Sequence, residues 1–542
     1  MGVTHEVLNQ PPALLGYDMF SADTALVSGV ERYGAGWATA SLSAAGQQTG
    51  SERAQELARL AHAYPPVLRT HDRFGNRIDE VEFHPAWHEL MNTAITAGAA
   101  GDPWVNGKPA AHVNRAALAY LGAQVEAGHG CPVSMTYAIV PALRHELSLA
   151  AEYEAKLASR VYDFGLRPAS QKSGLIAGMA MTEKQGGSDV RANTTRAVSA
   201  GDHYLLTGHK WFCSAPMSDL FLVLAQAPGG LTCFLLPRVL PDGTRNTFRI
   251  QRLKDKLGNR SNASSEVEFE GTAAWRVGPE GRGVATIIEM VQMTRLDCVI
   301  GSAGLMRAVL VQAIHHARYR SAFGKPLVEQ PAMTAVLADL ALESEAATAL
   351  MLRLASAVDN GEVAFGRLAT AVGKFWVCKR GPMVAAEALE CLGGNGYVED
   401  SGMPRLYREA PLNSIWEGSG NVMALDTLRA MAKQPESVGA FLDELQLAKG
   451  ENAQLDASIL RLQNELQAVT QSDMDSVQAG ARRITALMAV TLQASLLVRH
   501  APAEVASAYC GTRLGGDWAG VFGVLPAGTP AGRLTERAFG AN

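Results

Sequence analysis

The side chains best suited to chemistry fall in a few short segments. Met181-Thr-Glu-Lys-Gln-Gly-Gly-Ser-Asp189 holds two glycines, which let the backbone approach a flat ligand closely. In the same segment the hydroxyls of Thr182 and Ser188 can meet ring heteroatoms or phosphate oxygens. Lys210-Trp-Phe-Cys-Ser214 sets Trp211 near Ser214, able to wall a planar group and to donate one hydrogen bond. Ile415-Trp-Glu-Gly-Ser-Gly-Asn421 precedes a helical run, with Asn421 suited to an N-cap and the helix start suited to an anion. Glu417 lies in that turn beside Trp416. A carboxylate against apolar surface has its charged form disfavoured and becomes a stronger base. Arg320-Ser-Ala-Phe-Gly-Lys325 offers a guanidinium fork for a pyrophosphate, and the Gly393-Gly394 turn exposes N–H groups to phosphate or adenine. Each segment alone also reads as ordinary structure: a polar turn, a strand with Trp211 in the core, a solvated loop carboxylate, or an arginine or glycine ending a helix.

Four stretches of differing texture must position these residues. Residues 1–170 are mostly helical in pattern. Residues 171–280 alternate apolar and polar positions between turns. Glu266-Val-Glu-Phe-Glu reads as a strand with Val267 and Phe269 on one face. From 281 to 436 helical spacing returns, as in Val284, Ile287, Ile288 and Val291, and suggests a helical bundle. Lys433-Gln-Pro-Glu-Ser marks a boundary before a further helical segment, 437–542. The fold class is therefore α+β: an N-terminal helical domain, a middle β-barrel or sandwich, a helical bundle, and a C-terminal helical extension.

Composition narrows the function. A net charge of −5 argues against a surface built throughout for nucleic acid. No uninterrupted apolar run has the length of a bilayer span, and no basic-then-apolar leader opens the chain. The cysteines are odd in number, scattered and never paired as CxxC, which supports neither a disulfide framework nor a zinc site and makes a reducing cytoplasm the natural setting.

Taken together and in this order, the segments resemble the acyl-CoA dehydrogenases. MTEKQGGSD is similar to that family's MTEPxAGSD, KWFCS to KxWITN, RSAFGK to RxxFG, LGGNGY to GGxGY and IWEGSGN to YEGT. NQPPALLGYDMF, GQQTG, FHPAWHELM and LKDKLGNRSNAS further resemble a bacterial branch associated with the response to DNA alkylation. The resemblance implies FAD, a homotetramer and α,β-dehydrogenation of an acyl-CoA, with Glu417 taking the α-proton while hydride passes to flavin N5. It implies flavin and phosphate contacts from Met181, Thr182, Gly187 and Ser188. Trp211, Phe212, Cys213 and Ser214 would line the ring, and Ile415, Trp416, Ser419 and Asn421 would frame the cofactor. Arg320 and Phe323, with Gly393 and Gly394, would reach FAD across a subunit boundary. Arg295, Arg429 and Trp416 would line the substrate channel, and no metal is implied.

Three positions depart from the family pattern: Lys184-Gln185 replaces a proline, Gln330-Pro331 shifts a glutamine, and Glu390 replaces another. The branch also implies a double-stranded DNA contact in the C-terminal segment, with Arg482, Arg483 and Arg499 as its candidates. That segment holds eight basic and ten acidic residues from Ser437 onward, a net of −2, so no basic footprint shows in composition. A shielding flavoprotein with vestigial catalysis, or an acyl-CoA oxidase, are the alternatives on the same scaffold.

Overall fold

The computed structural model describes residues 4–516 and 519–540. The helices before the barrel are α1 (Thr24–Arg32), α2 (Thr39–Thr49), α3 (Glu52–Ala63), α4 (Pro85–Ala97), α5 (Ala111–Val125), α6 (Gly130–Leu143) and α7 (Leu147–Leu157). After it come α8 (Gly283–Tyr319), α9 (Pro331–Asp359), α10 (Val363–Cys391), α11 (Met403–Glu409), α12 (Gly420–Lys433), α13 (Pro435–Gln446), α14 (Ala453–Val469), α15 (Met474–His500), α16 (Ala503–Tyr509) and α17 (Ala531–Phe539). The chain gathers into two compact units. A β unit comprises Arg53–Ala111 and Glu126–Asp297, and a helical unit the described residues up to Glu52, His112–Val125 and those from Cys298 onward.

The β unit is built on seven strands: β3 (Ala177–Ala180), β4 (Arg196–Ser199), β5 (Tyr204–Ser214), β6 (Leu220–Ala227), β7 (Gly230–Pro237), β8 (Arg249–Leu253) and β9 (Ser264–Val277). Strands β6, β4, β5, β9 and β7 pair in a ring that closes through β6–β7, with β3 and β8 added at β6 and β9. Closure removes the exposed edges of an open sheet. Val267 and Phe269 point inward as their spacing requires, into a core with Phe221, Phe234 and Phe248. Glu266 belongs to the same strand but is buried, and its carboxylate takes Arg252 and Lys254, each at 2.7 Å.

The helical expectation for the first 170 residues meets one exception. Val67–His71 (β1) and Arg77–Glu82 (β2) form a hairpin. Its turn is held by Asp72, which accepts from the amides of Phe74 (2.8 Å) and Asn76 (2.9 Å), with Gly75 at φ 87. Val81 from this hairpin enters the barrel core.

In the helical unit α10 packs against α9, α12, α13 and α15. Two helices, α8 and α15, are long and apolar enough for a bilayer, but their apolar windows are 89% and 72% buried, as core helices are. The C-terminal extension is locked to α9 by Arg513, fully buried, which reaches Asp339 at 2.6 Å and Glu343 at 2.8 Å. Asp339 also accepts the amide of Gly523 at 2.9 Å, and Arg380 joins Glu343 at 3.2 Å. Removing one partner of such a network strands a buried charge. Arg513→Met is expected to cost about 3–5 kcal/mol of unfolding free energy, read by urea denaturation; a loss under about 1 kcal/mol would mean the network is not holding the extension.

Candidate active site

Two of the sequence segments are one local structure in the β unit. The Trp211 amide donates to the Thr182 carbonyl at 2.8 Å, so the Met181–Asp189 loop runs alongside β5. Beneath that junction lies an ion pair with both side chains fully buried: Lys210 Nζ to Glu183 Oε1 at 2.8 Å. Glu183 also accepts the amides of Thr194 (2.7 Å) and Thr195 (3.2 Å), while Lys210 donates to the Leu224 carbonyl at 2.8 Å. Burial works to raise the Glu183 carboxyl; the Lys210 ammonium and the hydrogen bonds from Lys210, Thr195 and Thr194 outweigh it and hold the group at about 2. Sequence reasoning gave neither residue a role, although both stand inside the quoted segments. Met181 is tied down separately, its carbonyl accepting from Asn193 Nδ2 at 2.9 Å.

The register between β5 and β9 shifts between Lys210 and Cys213. This bulge leaves Trp211 and Phe212 both off the core face. Phe212 is 49% exposed, and Trp211 carries Lys254 Nζ at 3.5 Å from its ring centroid. Cys213, expected beside them, turns instead into the barrel core, where burial pushes its thiol up to about 12. Its side chain is therefore not at the face where Phe212 and Ser214 lie. Ser214 Oγ sits 3.2 Å from Ser264 Oγ. Gly187 has no room for a side chain, since a Cβ there would collide with Thr182 Oγ1. Ser188 is exposed, and Arg295, expected in the substrate channel, is buried on α8. A glycine-lined hydroxyl loop beside a half-exposed aromatic ring fits a flat group with polar edges.

In the helical unit the Glu417 turn is held from two sides. Asn413 Oδ1 accepts the Trp416 indole N–H at 2.9 Å, and Asn413 Nδ2 donates to Ser302 Oγ at 3.1 Å. Lys374 on α10 donates to the carbonyls of Trp416, at 2.8 Å, and of Gly418. Glu417 itself is half-buried with φ 58, and Ile415 is exposed. The helix start differs from expectation: Ser419 is the N-cap residue, with φ −66 and ψ 171, and Asn421 lies inside α12. The Asn421 side chain instead accepts from Arg482 at 2.9 Å. The end of the Lys379 side chain lies against Gly420 at the start of α12. The signal for Lys374 was present in sequence as a lone lysine in the apolar run Ala369-Thr-Ala-Val-Gly-Lys-Phe.

The remaining expected residues scatter. Arg429 is exposed and meets Asp426 at 3.5 Å. Arg320 donates to the Asn9 carbonyl at 2.6 Å. Phe323 is 97% exposed at the tip of a two-residue hairpin, with φ 53 beside Gly324 at φ 81. Gly393, at φ 59, and Gly394 open the short helical turn Gly393–Tyr397. Of the arginines expected on DNA, Arg482 also lies over the Phe375 ring at 5.7 Å, Arg483 meets Glu465 at 2.6 Å, and Arg499 meets Glu444 at 2.6 Å.

Models of known families match three consecutive regions: the adaptive response protein AidB N-terminal domain over residues 9–164, the acyl-CoA dehydrogenase middle domain over 178–272, and the acyl-CoA dehydrogenase C-terminal domain over 281–432. The Escherichia coli strain K12 protein described as "Putative acyl-CoA dehydrogenase AidB" is 46% identical over 94% of each chain. The chain belongs to the acyl-CoA dehydrogenase family. Acyl-CoA dehydrogenase family member 11 of Caenorhabditis elegans is 31% identical over 87% of this chain and 83% of its own. The crystal structure of that organism's ACDH-11 in complex with C11-CoA superposes with a TM-score of 0.84 at 28% identity over 92% of each chain. An acyl-CoA dehydrogenase of Bacillus anthracis complexed with FAD shares the fold, with a TM-score of 0.62 at 18% identity over 76% of each chain. This acyl-CoA dehydrogenase homologue thus carries the family's helical, β-barrel and helical-bundle regions with a further C-terminal helical extension.

The Glu183 carboxyl sets a pH dependence. Its folded value lies below the ordinary glutamate value of 4.5, so the stability it contributes is complete above 4.5 and is lost as pH falls toward about 2. Glu183→Gln is expected to flatten acid unfolding across that window and, by leaving Lys210 buried without its counter-ion, to cost about 3–5 kcal/mol at neutral pH. Circular dichroism reads the first during acid titration and the second during urea titration at pH 7; an unchanged acid limb would remove Glu183 from the account.

Proposed function

We propose that the protein is an FAD-dependent oxidoreductase that abstracts the α-proton of an acyl-CoA thioester with Glu417. One observation carries this reading: Glu417 stands in a left-handed turn immediately before a helix start, braced by Lys374 and Asn413, at the position matching the family's YEGT segment. Thr182 and Ser188 would bind the polar edges of FAD, and Phe212 would lie against its ring. When bound, FAD supplies the acceptor for the β-hydrogen and its electron pair. Trp416, with its indole held by Asn413, would stand beside the base and help exclude water. Arg320 and the projecting Phe323 would reach the cofactor of a neighbouring subunit in a homotetramer, in a cytoplasmic setting.

Anaerobic mixing with undecanoyl-CoA or a short branched acyl-CoA is expected to bleach the oxidised flavin. Glu417→Gln is expected to keep FAD and slow bleaching by about 100-fold or more. Bleaching that survives this substitution refutes the assignment, and rapid peroxide formation in air would make the protein an oxidase.

We also propose a contact with duplex DNA in the response to alkylation, supported by the kinship with AidB and the adaptive response domain model. Of the three arginines considered, Arg483 is the one chosen for the test: it is paired with Glu465 but its side chain is 58% exposed, whereas Arg499 is 20% exposed and tied to Glu444. Arg483→Glu is expected to weaken duplex binding and make its salt dependence shallower. Binding and slope both unchanged would move the contact off this helix, and no duplex binding by the unaltered protein would leave catalysis alone.

A further inference from the structure

We infer that Lys374 is the positioning residue of the Glu417 turn: its buried ammonium clamps the carbonyls on either side of that turn and so fixes the direction in which the Glu417 carboxylate leaves the backbone. This rests on the reading of Glu417 as the base. Lys374 is 1% exposed, and its Nζ donates to the Trp416 carbonyl at 2.8 Å and to the Gly418 carbonyl. The first carbonyl belongs to the peptide that enters Glu417, the second to the peptide that leaves Gly418. Between them lie two consecutive left-handed residues, Glu417 at φ 58 and Gly418 at φ 113.

For a residue with a Cβ that conformation is disfavoured and persists only where the surroundings over-determine it. A single ammonium bonded to both carbonyls does this, because neither peptide can rotate without losing a charge-assisted hydrogen bond. Packing alone does not account for the residue. A lysine in the middle of an apolar helix must be desolvated, and a methionine of similar volume would fill the same space without that cost. Asn413 holds the preceding residue through the Trp416 indole, so the turn is fixed from α10 and from the 412–414 loop together.

The test is transient kinetics on the FAD-loaded protein with undecanoyl-CoA. Lys374→Met is expected to retain FAD and to bind the thioester within about three-fold of the unaltered protein, while bleaching slows by about 10–100-fold, as for a reacting group held in the wrong place. Lys374→Gln, which keeps one amide donor, is expected to fall between, and is read in place of Lys374→Met should that variant not accumulate. Bleaching at the unaltered rate in the variant read overturns the inference. Equal losses of FAD affinity, thioester affinity and rate also overturn it, since they describe a structural lysine. Glu417→Gln run alongside separates the two levels. If it bleaches normally, the base assignment has failed; if it does not bleach while Lys374→Met does so at full rate, only the clamp has failed.

Discussion

A turn between regular elements has no ladder of its own, so its amides and carbonyls must be bonded from outside or remain mobile. That constraint runs through both units. The Met181–Asp189 loop is joined to β5 at Thr182 and Trp211, and the Glu183–Lys210 pair anchors it from beneath. The Glu417 turn borrows Lys374 and Asn413 in the same way. In each case a buried lysine donates to backbone carbonyls, Lys210 to Leu224 and Lys374 to Trp416 and Gly418, which makes the polar interior a means of specifying loop geometry.

Much of the architecture is legible in sequence because burial follows simple periods. Val267 and Phe269 alternate with Glu268 and Glu270, and the barrel honours that pattern. The helix break read from Lys433-Gln-Pro is where α12 ends and a proline opens α13, within one compact unit. What escapes is whatever depends on partners distant in the chain. The 67–82 hairpin hides in a region of helix formers because its turn is set by one aspartate, and one of its valines packs into strands far along the chain. The β5 bulge leaves no periodic trace, so Cys213 is assigned by adjacency to a face it does not share. Asn421 has the residue type of a cap, yet the chain enters the helix at Ser419 and an arginine from α15 takes the amide. The roles of Glu183 and Lys374 follow from what each touches, which composition and spacing do not encode.

The C-terminal extension shows how charges are allotted. Arg513 and Arg499 are committed to acids inside the helical unit, and Arg482 to Asn421 in the first turn of α12. Arg483 is paired as well, with Glu465, although its side chain remains 58% exposed.

The extra residue in β5 has a chemical consequence. Strict alternation after Lys210 would turn Phe212 into the barrel and present the Cys213 sulfur on the outer face. With the bulge, the sulfur is sealed among hydrocarbon and its thiol is pushed up to about 12, so essentially no thiolate forms at neutral pH. Sulfenic-acid formation needs that thiolate and an oxidant that can reach it. A one-residue irregularity therefore protects the strand from oxidative damage that a regular strand would invite wherever reduced flavin meets oxygen.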